Sequence, residues 1–109
     1  MLYFFRDCIL DTARHELHRA GAVVKLQRKV YQVLAYLVTH ADHLVTRDEL
    51  LEHVWSGVHV ADYAVTRSIA AARRAVGDSP EAHEAIQTLH GQGYRLVAAV
   101  RAESVALLP

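Results

Sequence analysis

The sequence lacks the features that mark secreted and membrane proteins. It has one cysteine, Cys8, which cannot form an internal disulfide and suits a reducing compartment. Its apolar runs are short, such as 96–100, whereas a membrane-spanning helix needs about 20 apolar residues. Arg6 and Asp7 interrupt the apolar N-terminus, so we expect no signal peptide. These absences favour a cytoplasmic protein in which Cys8 is a small apolar strand residue rather than a redox switch.

The chain also has no excess of either charge, since 12 lysines and arginines balance 12 aspartates and glutamates. Net charge therefore gives no support to nucleic-acid binding. The distribution of charge does, because residues 63–77 contain Arg67, Arg73 and Arg74 but no acidic residue. With 109 residues, 52% of them apolar and 22% charged, the composition predicts one globular domain, and the arginines predict one basic face.

Short strands and a helix are predicted in the first part of the chain. Four β-prone segments lie at 3–5, 8–10, 16–19 and 23–26. They predict a small antiparallel sheet with one buried face. From Arg28 to about His40, apolar residues recur every three or four positions, which indicates an amphipathic helix that packs on a core.

A second helix begins at a capping box. In Thr46-Arg-Asp-Glu49 the threonine hydroxyl and the glutamate carboxylate satisfy free backbone donors, so we expect a helix from Arg47 to Trp55. Gly57 and its β-branched neighbours are poor helix formers, which predicts a turn at 56–61.

A third helix is predicted at 62–76, with Asp62 as its N-cap and Gly77 at its C-terminal end. Its apolar residues lie at helical spacing and form a buried stripe: Val65, Ile69, Ala72 and Val76. At about 100° per residue, the opposite face carries Tyr63, Arg67, Ala70, Ala71 and Arg74.

The C-terminal part of the domain is predicted to be a hairpin. Two β-prone runs, 86–89 and 94–100, are joined by His90-Gly-Gln-Gly93. Residues 101–109 have no pairing signal, so we expect a tail or the start of a linker. The sequence thus predicts one α+β domain at 1–100, with an N-terminal antiparallel sheet, three helices and a C-terminal β-hairpin.

Three motifs together give the chain a family resemblance. They are Leu44-Val-Thr-Arg-Asp-Glu-Leu-Leu51 leading to Val54-Trp55, the third helix ending in Arg73-Arg-Ala-Val-Gly-Asp78, and Gln87-Thr-Leu-His-Gly-Gln-Gly-Tyr-Arg-Leu96. Over roughly 4–100 the chain resembles the C-terminal DNA-binding domain of OmpR-type winged helix-turn-helix transcription regulators. Domains of this kind also occur at the N-terminus of CadC/ToxR-like regulators.

The resemblance implies sequence-specific binding of double-stranded DNA. The third helix would enter the major groove, and the hairpin, at 86–97, would be a wing on the minor groove. Arg67 matches a base-reading position, where an arginine pairs with guanine, although a solvated surface arginine is the alternative. The other DNA-contacting residues that the resemblance implies are Tyr63, Ser68, Ala71, Arg74, Thr88, His90, Gln92 and Arg95.

The chain departs from the family pattern in ways that weaken the DNA interface. Residues 70–72 are alanines where many members carry basic or large residues, and His90 stands where arginine is frequent. Roughly three arginine contacts per protomer predict a salt slope near −3. Such a weak monomer implies self-association on tandem half-sites about one helical turn apart. The resemblance also implies that the loop at 56–61 contacts RNA polymerase, and a simple connector is the alternative.

Some residues have a structural alternative. Arg73 lies at the flank of the third helix, and we expect an ion pair with Asp48 or Glu49 in preference to a phosphate contact. Trp55 and Tyr94 fall in apolar patterns, so we expect core packing rather than nucleotide stacking.

The sequence offers little for catalysis or metal binding. No nucleophile, base and electrophile converge in any motif, so we expect neither an enzyme nor a cofactor. The histidine pairs at 15 and 18 and at 40 and 43 lack a surrounding cysteine or carboxylate cluster, so no metal site is predicted. The remaining alternative is a winged helix that binds protein and has little or no affinity for DNA, which the zero net charge and the alanine-rich face suggest.

Overall fold

The N-terminal strands form an antiparallel meander. The structure is a computed structural model that describes residues 1–79 and 81–104. Its first four strands are β1 (Leu2–Phe5), β2 (Cys8–Asp11), β3 (Glu16–Arg19) and β4 (Ala22–Val24). Each pairs with the next, in registers such as Phe5 with Cys8 and Leu10 with Leu17. The predicted sheet is therefore confirmed.

One face of this sheet is buried against the helices. Phe5, Leu10 and Leu17 are almost completely excluded from solvent, and full burial of such side chains stabilises the fold by about 1.5–3 kcal/mol each. Cys8 belongs to the same buried set, and burial raises the pKa of its thiol to about 11. The thiol is therefore protonated at neutral pH, as expected of a packing residue.

Three helices follow the sheet: α1 (Arg28–Thr39), α2 (Arg47–His53) and α3 (Tyr63–Ala75). Their apolar stripes meet in one core, which includes Leu34 and Leu37 of α1, Leu50 of α2 and Ile69 of α3. α2 is two residues shorter than predicted, since Ser56 and Gly57 have positive φ and reverse the chain directly after Trp55.

The two predicted helix caps have different outcomes. The capping box of α2 is present, since Thr46 Oγ1 accepts from Glu49 N at 3.0 Å and Glu49 Oε1 accepts from Thr46 N at 3.4 Å. Asp62 makes no side-chain cap hydrogen bond, so that prediction is wrong. Its own backbone is already helical, at φ −54° and ψ −33°, and an N-cap needs an extended residue. The Asp62 carboxylate instead lies 3.2 Å from the Arg47 guanidinium.

The C-terminal hairpin is made of β5 (Ile86–Leu89) and β6 (Gly93–Leu96), in the register Thr88 with Tyr94. It docks on the segment before α2 through two hydrogen bonds of 2.8 Å between the backbones of Val45 and Tyr94. A Cβ atom at Gly93 would lie 2.2 Å from the Val45 carbonyl oxygen. Only glycine therefore allows this close approach.

The chain does not leave the domain at residue 100 as expected. Residues 101–103 form a further strand, β7 (Arg101–Glu103), which pairs antiparallel with β1 and gives the sheet order β4-β3-β2-β1-β7. The Arg101 guanidinium also lies 4.3 Å from the centroid of the Phe4 ring. Residues 101–103 are thus part of the sheet, and a linker beyond them stays a prediction, since 105–109 lie outside the described residues.

Candidate nucleic-acid interface

The helix α3 combines a buried stripe with an exposed polar crest, which is formed by Tyr63, Arg67 and Arg74. Val65 and Ile69 are buried and fix the helix on the core, while Tyr63 is 60% exposed and Arg67 and Arg74 also face solvent. The Arg67 guanidinium lies 5.4 Å from the centroid of the Tyr63 ring, a cation–π contact that orients the arginine without neutralising it. The structure therefore brings the expected outward residues of the helix together on one face.

Two of the residues predicted to contact DNA are less exposed to solvent than expected. Ser68 is only 8% exposed, and Ala71 is half-buried. A serine so enclosed has little surface for a phosphate, and its role in DNA contact stays a prediction.

The wing places its expected residues along one hairpin. His90 and Gln92 are exposed at the tip, where Gln92 N donates to the Leu89 carbonyl at 2.9 Å and closes the turn. Arg95 is exposed on β6 and donates to Gln87 Oε1 at 3.2 Å. The side chains at the tip are thus presented to solvent by a turn that the backbone itself defines.

Arg73 connects α3 to the wing, and the expected ion pair with Asp48 or Glu49 is wrong. The Arg73 side chain is buried, its Nε donates to the Ile86 carbonyl at 3.1 Å, and its Nη2 donates to Thr88 Oγ1. Thr88 is therefore occupied in holding the wing as well as being half-buried. The arginine lies on the flank of α3 that faces β5, which rules out a position toward α2.

Asp78 organises the connector between α3 and β5. Its carboxylate accepts four backbone hydrogen bonds, from Ser79 and Glu84 to Oδ1 and from Ala85 and Ile86 to Oδ2, at 2.8–3.0 Å. Burial alone would raise the pKa of Asp78, but these donors outweigh it and hold the pKa at about 2. Asp78 and Arg73 together fix the wing relative to α3. The sequence gave no sign of this role, because the four donors that Asp78 binds lie up to eight residues further along the chain.

The turn between α2 and α3 exposes apolar surface. Ser56 and Gly57 both have positive φ, 53° and 74°, which reverses the chain after the buried Trp55. Val58 is then 63% exposed. Trp55 packs in the core, as expected, and Tyr94 is half-buried against it rather than fully enclosed.

Several of the histidines are engaged in local stacking and hydrogen bonding. The ring of His40 stacks on Tyr36 with centroids 4.0 Å apart, and His43 Nε2 lies 3.1 Å from Glu49 Oε2. This hydrogen bond to Glu49 raises the pKa of His43. Within residues 1–79 and 81–104, no three histidine, cysteine, aspartate or glutamate side chains are placed to hold a metal ion.

None of the helices in the described part of the chain is long and apolar enough to cross a membrane.

Comparison with known proteins gives a family match over most of the chain. The model of the family described as "Transcriptional regulatory protein, C terminal" matches residues 21–96. The transcriptional regulator HilA of Salmonella typhimurium is 38% identical over 93 residues, which are 85% of this chain but 16% of HilA. The chain therefore spans about one sixth of the length of that relative.

Solved structures agree on the fold. The response regulator DrrB of Thermotoga maritima, an OmpR/PhoB homologue, superposes with a TM-score of 0.79 at 32% identity, covering 87% of this chain and 43% of DrrB. The DNA-binding domain of Klebsiella pneumoniae RstA, solved in complex with the RstA box, has a TM-score of 0.77 at 26% identity, covering 87% and 95% of the two chains.

Proposed function

The chain belongs to the family of transcriptional regulatory protein C-terminal domains, and we propose that its α3 reads a specific DNA sequence in the major groove while its wing follows the minor groove. It is a winged-helix domain of the OmpR/PhoB type that binds DNA in transcription regulation, and it is not an enzyme. A DNA target supports a cytoplasmic location for this domain.

The observation that carries the proposal is the crest of α3. Arg67 is exposed, has its ring contact to Tyr63, and stands on a helix whose opposite face is locked into the core. An arginine held in this way can donate two parallel hydrogen bonds to guanine O6 and N7. Arg74 and Arg95 add positive charge for binding phosphates. The further contacts proposed along α3 and the wing are those of Tyr63, Ser68, Ala71, Thr88, His90 and Gln92.

The test begins with selection of duplexes from a random pool by the 109-residue chain. Arg67→Ala should weaken binding of the selected duplex by about 1–3 kcal/mol, roughly 5- to 150-fold, and relax preference at one base pair. Arg67→Lys keeps the charge but loses the bidentate geometry, so it should lose the same base preference with a smaller loss of affinity.

Arg14 offers a matched control. Its side chain is 74% exposed in the turn between β2 and β3, far from α3 in sequence, and its nearest carboxylate is Glu16 at 3.9 Å. Arg14→Ala should leave affinity and preference unchanged. If the pool yields no enriched duplex, or if binding ignores both salt and Arg67→Ala, the domain is instead a protein-binding winged helix.

Self-association on DNA follows from the small number of cations on α3. With Arg73 occupied by the wing and Arg67 reading a base, the arginines left for phosphates are Arg74 and Arg95, and two phosphate contacts correspond to a salt slope of only about −1.8. Two copies on tandem half-sites, about 10 base pairs apart, double the contacts. Footprints of one half-site at saturation, with one chain bound per duplex, would contradict this pairing.

A contact with RNA polymerase is the function proposed for the loop at 56–61. Its support is the exposure of Val58 beside a rigid reversal at Gly57. Val58→Ser should reduce transcription activation in a reporter assay while leaving DNA affinity intact. Equal activation by the variant and the unchanged chain would remove this proposal.

A further inference from the structure

A groove runs along one flank of α3, opposite the connector between β4 and α1. Its volume is about 710 Å³. One wall carries Tyr63, Arg67 and Arg74 of α3, and the facing wall carries Lys25 and Lys29. Neither lysine was among the residues that the sequence predicted to contact DNA. This wall therefore extends the predicted interface.

The charge of the groove is entirely of one sign. Four cationic side chains line it and no aspartate or glutamate does. Lys25 and Lys29 are moreover the only two lysines of a chain whose net charge is zero. A groove with this lining attracts an extended polyanion, because a concave cationic surface concentrates the field.

The position of the groove selects the polyanion. The major groove of B-DNA is about 12 Å wide, and an α-helix with its side chains is about 10–12 Å across. A helix inserted there has a phosphate backbone along each flank. The groove shares Arg67 and Arg74 with the crest of α3, so a duplex read by α3 brings one of its own backbones to this wall.

We propose that the groove holds the phosphodiester backbone of one strand of the duplex that α3 reads, with Lys25 contacting a phosphate across from Arg74. This inference rests on the proposed DNA-binding function. It adds a third phosphate contact to those of Arg74 and Arg95 and brings the salt slope of one protomer to about −2.7.

The two lysines have different roles. Lys29 Nζ donates to the Val54 carbonyl at 2.8 Å and lies 5.9 Å from the Trp55 ring centroid, so its ammonium group is held by the end of α2. Lys25 is exposed and makes no ion pair or side-chain hydrogen bond with the residues that the structure describes. Lys25 is therefore the side chain whose removal tests the contact without disturbing the fold.

The experiment measures binding of Lys25→Ala to the selected duplex and to an unrelated duplex between 50 and 200 mM salt. Loss of one phosphate contact should reduce the magnitude of the salt slope by about 0.9 and weaken both complexes by the same factor, about eightfold at 0.1 M salt. Base preference should not change, since a phosphate contact carries no sequence information. Lys25→Arg should restore the slope.

The controls separate this inference from the function on which it rests. Arg14→Ala removes an exposed cation outside the groove and should leave the slope unchanged. If Lys25→Ala binds as the unchanged chain does while Arg67→Ala is impaired, the DNA-binding function stands and the groove contact is refuted. A loss confined to the selected duplex would also refute it, because Lys25 would then read a base. Failure of the unchanged chain to bind any duplex would overturn both.

Discussion

Replacing Asp78 by alanine should lower the free energy of unfolding by roughly 2–6 kcal/mol. The carboxylate is only 8% exposed and accepts hydrogen bonds from four backbone donors. Two of these donors, the N–H groups of Ala85 and Ile86, belong to fully buried residues. An orphaned buried donor costs about 1–3 kcal/mol, whereas the donors nearer the surface can turn to water.

The same carboxylate should make stability depend on acid. The pKa of Asp78 is about 2 in the folded chain, and the ordinary value of about 3.9 applies when the chain is unfolded. A depressed folded pKa contributes stability that is complete above pH 4 and is lost as the pH falls from about 4 toward 2. The difference between the two pKa values corresponds to roughly 2–3 kcal/mol. Asp78→Asn keeps the shape but not the charge, so it should remove this step.

Urea unfolding followed by the fluorescence of the single tryptophan, Trp55, measures both effects. The free energy of unfolding of each variant is subtracted from that of the unchanged chain at pH 7 and at several values down to pH 2.5. This subtraction cancels the contributions of the other carboxylates. Asp62→Ala is the matched control, because that carboxylate is fully exposed and its ion pair with Arg47 is screened by solvent. A loss below 1 kcal/mol for Asp78→Ala, or the same acid dependence in Asp78→Asn as in the unchanged chain, would refute the reasoning.

Two further substitutions test how the wing and α2 are held. Gly93→Ala should detach the wing, because the new Cβ would meet the Val45 carbonyl oxygen. It should lower the free energy of unfolding by at least about 2 kcal/mol more than Gly91→Ala, where the space is open. Similar losses for the two variants in urea unfolding would contradict this. Thr46→Ala should cost about 1 kcal/mol through loss of the capping hydrogen bond, while Thr39→Ala, at the exposed end of α1, should cost less than 0.5 kcal/mol; equal losses would show that the cap is not what stabilises α2.

Local patterns predicted most of the architecture and the crest of the candidate site. The capping box at Thr46 needs only residues three apart, so its sequence was sufficient. The exposure of Arg67 follows from helical periodicity once the buried stripe is known. Those two predictions depended on interactions within one turn or one helix.

Two of the failures involve partners distant in the chain, and a third is local. Arg73 was assigned to the wrong element because its angle on α3 does not say whether β5 or α2 lies beside it. Residues 101–103 pair with β1, which joins the two ends of the domain. A segment of three residues is too short to show a periodicity that would predict this pairing. The N-cap at Asp62 failed because the preceding turn already gives that residue helical angles.

The sequence by itself determined the α+β class, the helical faces and the family, because periodicity and capping are local properties of the chain. The tertiary structure alone decided which groups meet: Arg73 with the wing, Asp78 with four backbone donors, and the two lysines with α3 across one groove. Such meetings depend on how elements pack on a shared core, and many packings are compatible with the same local pattern. The proposed DNA interface therefore has two walls. Helical periodicity predicts the wall on α3, and only the packing of the fold places Lys25 and Lys29 beside it.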